Sequence, residues 1–173
     1  MTATYEKIAT TTLGSATASV TFSSISGSYT DLVLVAVART DRAEYDDIMG
    51  MQFNSDTTTN YSTTIVNGNG TTATSSRQTS VAYITSRVGA ASATAGVWTP
   101  VIFNIQNYSN ATTNKTALCR FNEPVSGGTD YGVGATVGLW RSTAAITSIL
   151  LKPIVGTNLI SGSTFTLYGI KAE

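Results

Sequence analysis

The sequence predicts an all-β protein: a two-sheet antiparallel β-sandwich of jelly-roll type, with about ten strands, in a single domain over residues 1–173. Apolar residues recur with period two almost throughout, the spacing of a strand that buries one face. The chain holds 31 Thr and 19 Ser, and Thr suits a pleated, half-buried surface because of its β-branch. Short apolar runs are separated by Ser, Asn and Gly clusters that favour turns. An immunoglobulin-like sandwich is the nearest competitor, but its Cys…Trp…Cys core cannot be made with one cysteine. No internal repeat points to a propeller or solenoid.

Residues 4–9 open the series, and Ala18-Ser-Val-Thr-Phe22 then sets Val20 and Phe22 on one face. Residues 32–38, Leu-Val-Leu-Val-Ala-Val-Ala, are apolar at both parities and predict a central strand covered on both sides. Residues 39–49 allow one turn of helix. In Ile48-Met-Gly-Met-Gln-Phe53, Met49, Met51 and Phe53 point one way. Residues 54–80 and 89–96 lack periodicity and read as loops, the first unusually long. Residues 80–85 pair Val81 with Tyr83, and residues 101–105 put Val101, Phe103 and Ile105 opposite Asn104 and Gln106. After a strand at 118–121, residues 131–140 set Val133, Ala135, Val137 and Leu139 against Gly132, Gly134 and Gly138. Glycine repeated on one strand face marks close backbone approach or a bend. Residues 146–151 precede Pro153, which helps stop that strand. The last strand is Gly162-Ser-Thr-Phe-Thr-Leu-Tyr-Gly-Ile170, with Phe165 and Leu167 facing the core and Tyr168 and Ile170 the other side. Turns are expected at residues 26–28, 67–70, 126–128 and 161–163.

Composition narrows function by exclusion. Only 12% of residues are charged, ten of each sign, so there is no electrostatic footprint for nucleic acid or an anionic membrane. Low charge also does little to keep copies apart, which favours an assembled protein. There is no histidine and one cysteine, Cys119. Ser-His-Asp and Cys-His catalysis, His-ligated metals and a structural zinc site are therefore out of reach. Cys119 reads as a small buried hydrophobe. No apolar h-region marks a signal peptide, and no apolar run reaches the ~20 residues of a membrane span.

Candidate chemistry is weak. The acidic stretch Asp41-Arg-Ala-Glu-Tyr-Asp-Asp47 offers oxygens for Ca²⁺ but matches no Ca²⁺ loop spacing, and reads as a solvated connection. Asn54, Asp56 and Asn60 suit turn capping better than carbohydrate binding. Asp31, Asp56, Glu123 and Asp130 are scattered carboxylates that nothing pairs for glycoside hydrolysis. Trp98, Trp140, Tyr108 and Tyr131 fit an aromatic core or a subunit interface better than sugar stacking. Asn60, Asn69, Asn107, Asn110 and Asn114 begin Asn-x-Ser/Thr triplets that such a Ser/Thr-rich chain produces by chance. The sequence therefore assigns no catalytic, cofactor-binding or metal-ligating residue, and the chain is not expected to be an enzyme.

Four segments carry a resemblance. Val20-Thr-Phe-Ser-Ser-Ile-Ser-Gly-Ser-Tyr-Thr-Asp-Leu-Val-Leu34, Phe53-Asn-Ser-Asp with Asn60-Tyr-Ser62, Ala145-Ile-Thr-Ser-Ile149 and Gly162 to Ile170 occur in that order. Together they resemble a pattern in virion proteins of tailed bacteriophages, notably cyanophages and marine phages, which ends on the same leucine-tyrosine-glycine strand. The resemblance spans about residues 5–171 and implies a β-sandwich exposed on the outside of a phage particle. It carries over no functional residues. Because the domain stands alone behind Met1, with no shaft, the resemblance favours a capsid cement or decoration protein made in the host cytoplasm. It would bind the major capsid protein or other virion proteins as a homo-oligomer. A trimer is expected, because icosahedral shells offer threefold sites. The alternative is a receptor-binding tail-fibre or adhesin module that recognises host surface glycans.

Overall fold

A computed structural model describes residues 4–122 and 132–171. Glu123, Asp130, Tyr131 and the turn expected at 126–128 lie outside the described residues. Among the described residues there are twelve strands, somewhat more than the expected ten or so: β1 (Tyr5–Thr12), β2 (Val20–Phe22), β3 (Asp31–Ala38), β4 (Asp46–Phe53), β5 (Tyr61–Gly68) and β6 (Ala73–Val81), then β7 (Ile84–Gly89), β8 (Thr99–Gln106), β9 (Lys115–Asn122), β10 (Val133–Trp140), β11 (Ile149–Pro153) and β12 (Thr164–Ile170). They form two sheets with antiparallel strand pairing, one of eight strands in the order β1-β12-β3-β8-β9-β10-β5-β6 and one of four, β2-β11-β4-β7. The all-β sandwich is as expected. Among the described residues there is no helix, so the helical turn considered for 39–49 is corrected: β4 already begins at Asp46.

The core lies between the sheets. Leu34, Phe103, Cys119 and Leu167 from the larger sheet and Val20, Phe22, Met51, Ile84 and Leu151 from the smaller one are all buried. In β8 the alternation is legible directly: Val101, Phe103 and Ile105 are buried while Gln106 is exposed. In β12, Phe165 and Leu167 face the core and Tyr168 and Ile170 are half-buried on the other side, as expected.

Three expectations fail for physical reasons. Residues 54–80 are not one loop, because β5 and β6 form a hairpin there, joined around Asn69. Its second strand, Ala-Thr-Ser-Ser-Arg-Gln-Thr-Ser-Val, has almost no apolar contrast, and Ala73 to Ser80 are exposed on both faces. Residues 80–85 are not one strand: Ser80 adopts a left-handed φ of 58°, and the chain leaves β6 for β7 in the other sheet. β3 is not covered on both sides. Leu32, Leu34, Ala36 and Ala38 are buried, Val33 and Val35 are half-buried, and Val37 is 38% exposed. Four strands cover one face of eight, and nothing described lies on the other.

Two glycines mark close approaches. A Cβ on Gly138 of β10 would enter the Ile84 side chain of β7, so that glycine lets the smaller sheet sit on the larger one. A Cβ on Gly169 of β12 would enter the Tyr29 ring. The glycine of the terminal leucine-tyrosine-glycine motif is thus the floor on which Tyr29 lies.

Candidate interaction surface

Side chains alternate across a strand, so the register defines the uncovered face. Across β12, β3 and β8, Tyr168 lies beside Val33 and Val33 beside Asn104, with Thr166, Val35 and Ile102 in the next row. Across β9, β10 and β5, Leu118 lies beside Val137 and Val137 beside Thr64, with Arg120, Ala135 and Val66 in the next row. The centre of the face is mostly apolar, while its edge strands add Lys7 on β1 and Arg77 on β6 to the same rows. Of the large apolar side chains exposed on the molecule, Tyr5 (59%), Val37 (38%), Val66 (52%), Leu118 (43%), Val133 (68%) and Val137 (53%) all belong to it. β10 is inverted relative to intuition: its valines face outward, while Gly134, Thr136 and Gly138 face the core. Among the described outward positions of β12, β3, β8, β9, β10 and β5, only Asp31 and Arg120 carry charge. A monomer rarely exposes an apolar patch this broad without using it. Shallow hollows break the surface, one around Val66, Gly68 and Val133 and another around Ile102, Arg120 and Val133.

The resemblance segments meet elsewhere, at one pole of the sandwich. Asn54 Nδ2 donates to the Ala145 carbonyl (2.8 Å), and its Oδ1 accepts from the N–H groups of Thr147 (2.8 Å) and Ser148 (3.1 Å). The Tyr61 hydroxyl accepts from the Phe53 N–H at 3.0 Å, and Trp140 Nε1–H donates to Asp56 Oδ2 at 2.7 Å. Phe53, Tyr61 and Trp140 pack ring on ring, with Tyr61 and Trp140 stacked at 6.2 Å between centroids. The Tyr108 hydroxyl accepts from the Tyr29 N–H (3.3 Å) and donates to the Ser26 carbonyl. Asp31 accepts from the Asn107 N–H at 2.7 Å. Asn54, Asp56 and Asn60 are therefore turn and capping groups.

Burial and hydrogen bonding set the titrations here. Partial burial pushes Asp56 up, but bonds from Thr58, Trp140 and Asn60 outweigh it and bring the pKa down to about 2. Burial pushes Tyr61 up to about 12 and raises Tyr108 as well. Burial also raises the Cys119 thiol, which sits in the core as expected, and lowers the Lys115 ammonium. Lys115 Nζ donates to the carbonyls of Thr113 (2.6 Å) and Thr143 (3.1 Å).

Elsewhere the acidic stretch is engaged structurally. Asp41 accepts from the Thr157 and Asn158 N–H groups (2.8 and 2.9 Å), Asp47 from those of Ile48 and Gly156 (2.7 and 3.0 Å), and Asp46 pairs with Arg87. Among the described residues no group of three acidic, His or Cys side chains is placed to hold a metal. Asp31 and Asp56 each serve separate backbone or side-chain partners. Trp140 and Tyr108 are core residues, and Trp98 is half-buried with its ring over Gly162. Asn69 and Asn110 each accept N–H bonds from the threonine that ends the triplet and from the threonine after it.

Sequence reasoning passed over Arg39. It is 6% exposed, and its guanidinium donates to the carbonyls of Ala90 (2.8 Å), Ala93 (3.0 Å), Thr94 (3.0 Å) and Val97 (3.3 Å). A buried cation without a carboxylate is held here by carbonyl dipoles, which shape the 90–97 loop around it. No sequence pattern marks it, because its ligands are backbone atoms. Compared with known proteins, the chain matches no family model and no curated protein.

Proposed function

We propose that the chain is a structural protein of a tailed-bacteriophage particle, most specifically a capsid cement or decoration protein on the particle's exterior. The observation that carries this reading is the broad apolar face at the centre of the eight-stranded sheet, where the six inner strands carry only Asp31 and Arg120 as outward charges; it supplies adhesion without chemistry. The sequence resemblance supplies the setting, and its motif residues act as fold-forming caps at the loop pole. The work of such a protein is binding: burial of apolar and Thr-rich surface against virion proteins and other copies reinforces the assembled shell. Receptor recognition through sugar-stacking aromatics draws less support, because Trp140 and Tyr108 are committed to the core. The test is the particle. Quantitative mass spectrometry and image reconstruction of purified virions should find hundreds of copies, all on the capsid. A few copies confined to the tail tip would overturn the reading.

A further inference from the structure

We propose that the occupant of the apolar sheet face is a second copy of this chain, packed face to face about a twofold axis. This deepens the preceding reading by naming the partner of the same surface, and it replaces the trimer expected from shell symmetry with a dimer.

The size of the face is the first argument. Eight strands ~4.8 Å apart span about 34 Å, and eight residues at ~3.4 Å each span about 27 Å. The resulting face of about 900 Å² matches the roughly 800 Å² per partner of a specific, stable interface. An identical face is the simplest surface of equal extent.

Charge is the second. The six central strands from β12 to β5 present one anion, Asp31, and one cation, Arg120, so the centre of the face is neutral; Lys7 of β1 and Arg77 of β6 place further cations only at its two rims, where solvent screens them. Asp31 already holds the Asn107 N–H, which leaves Arg120 as the one central charge. Its long stem can lie along apolar surface while its head reaches the rim.

Relief is the third. Leu118 and Val137 are neighbours that project from the middle of the face at 43% and 53% exposure. The hollows beside Gly68 and beside Ile102 lie further along the same strands, on either side of Val133. Knobs and hollows on one face are what an isologous interface requires, since each copy supplies both. Twisted sheets pack with their strands about 30° apart and ~10 Å between layers, so two copies would make a four-layer stack.

Sedimentation velocity of the full chain from about 1 to about 100 μM tests this. The expected result is a species of twice the 18.1 kDa monomer mass. Leu118→Glu with Val137→Glu should weaken association about 100-fold or more, the effect of losing two central contacts. Both side chains point away from the core, so strand circular dichroism and a cooperative melt should persist. If the double variant does not fold, the milder Val66→Thr with Val133→Thr should weaken association about tenfold. Val155→Glu, at an exposed apolar residue off the face, should leave the dimer intact. A monomer or a trimer at every concentration overturns the inference, as does a folded face variant that dimerises like the native chain. These results are separable from the virion test: monomers found in hundreds on capsids defeat the dimer alone, and solution dimers found only at the tail tip defeat the cement reading alone.

Discussion

Arg39 shows how one side chain holds a segment without regular structure. The 90–97 loop has few apolar anchors, and its carbonyls converge on one guanidinium. Arg39→Met should destabilise the fold by about 2–4 kcal/mol, because several buried carbonyls lose their partner together. Limited proteolysis should then cut within 90–97. Arg39→Lys should recover only part of the loss, since an ammonium cannot span the same fork of acceptors. Asp56 contributes to acid stability. Its folded pKa of about 2 lies below the ordinary aspartate value of 3.8, so its contribution is complete above about pH 4 and is lost as pH falls toward 2. Asp56→Asn should flatten that part of a plot of melting temperature against pH, measured from pH 2 to 6. Burial raises the Cys119 thiol, so native protein should resist alkylation that unfolding permits.

At the scale of elements, β8 and β10 show what the sequence discloses and what it withholds. In β8 one parity is Val, Phe, Ile and the other Ile, Asn, Gln, and the larger contrast goes inside. In β10 one parity is valine and leucine, while the other is rich in glycine. Intuition buries the valines, but Ile84 of β7 fills the space above Gly138, so the glycines face the core. Which parity is inside depends on a strand some fifty residues earlier, and no local pattern contains that. Gly138→Ala should cost about 1–3 kcal/mol by overpacking. Adding Ile84→Ala should then cost less than the two changes measured separately, a coupling that a double-mutant cycle in denaturant reports. β6 was illegible for a different reason. A strand exposed on both faces has no apolar period, and only its pairing with β5 defines it. The candidate surface was half legible: the apolar runs 32–38 and 131–140 were plain, but their outward exposure follows from eight strands meeting four.

For the whole molecule, β12 is decisive. It lies inside the larger sheet, paired with β1 on one side and β3 on the other, and it contributes Phe165 and Leu167 to the core. Removing residues 163–173 would leave β1 without its partner and open the core at β3. The truncated chain should accumulate as insoluble protein, and recovery of a soluble, cooperatively melting truncation would refute this. The same placement orders events during synthesis. Thr10 and Thr166, which face each other across β1 and β12, are 156 residues apart in the chain. At about 5–20 residues per second the ribosome needs roughly 8–30 s between them. Throughout that interval β1 has no strand to join, and the apolar edge of β3 is open to any neighbouring nascent chain. Crowded polysomes are therefore where this protein is most exposed to mispairing, before any copy has a finished face to offer another.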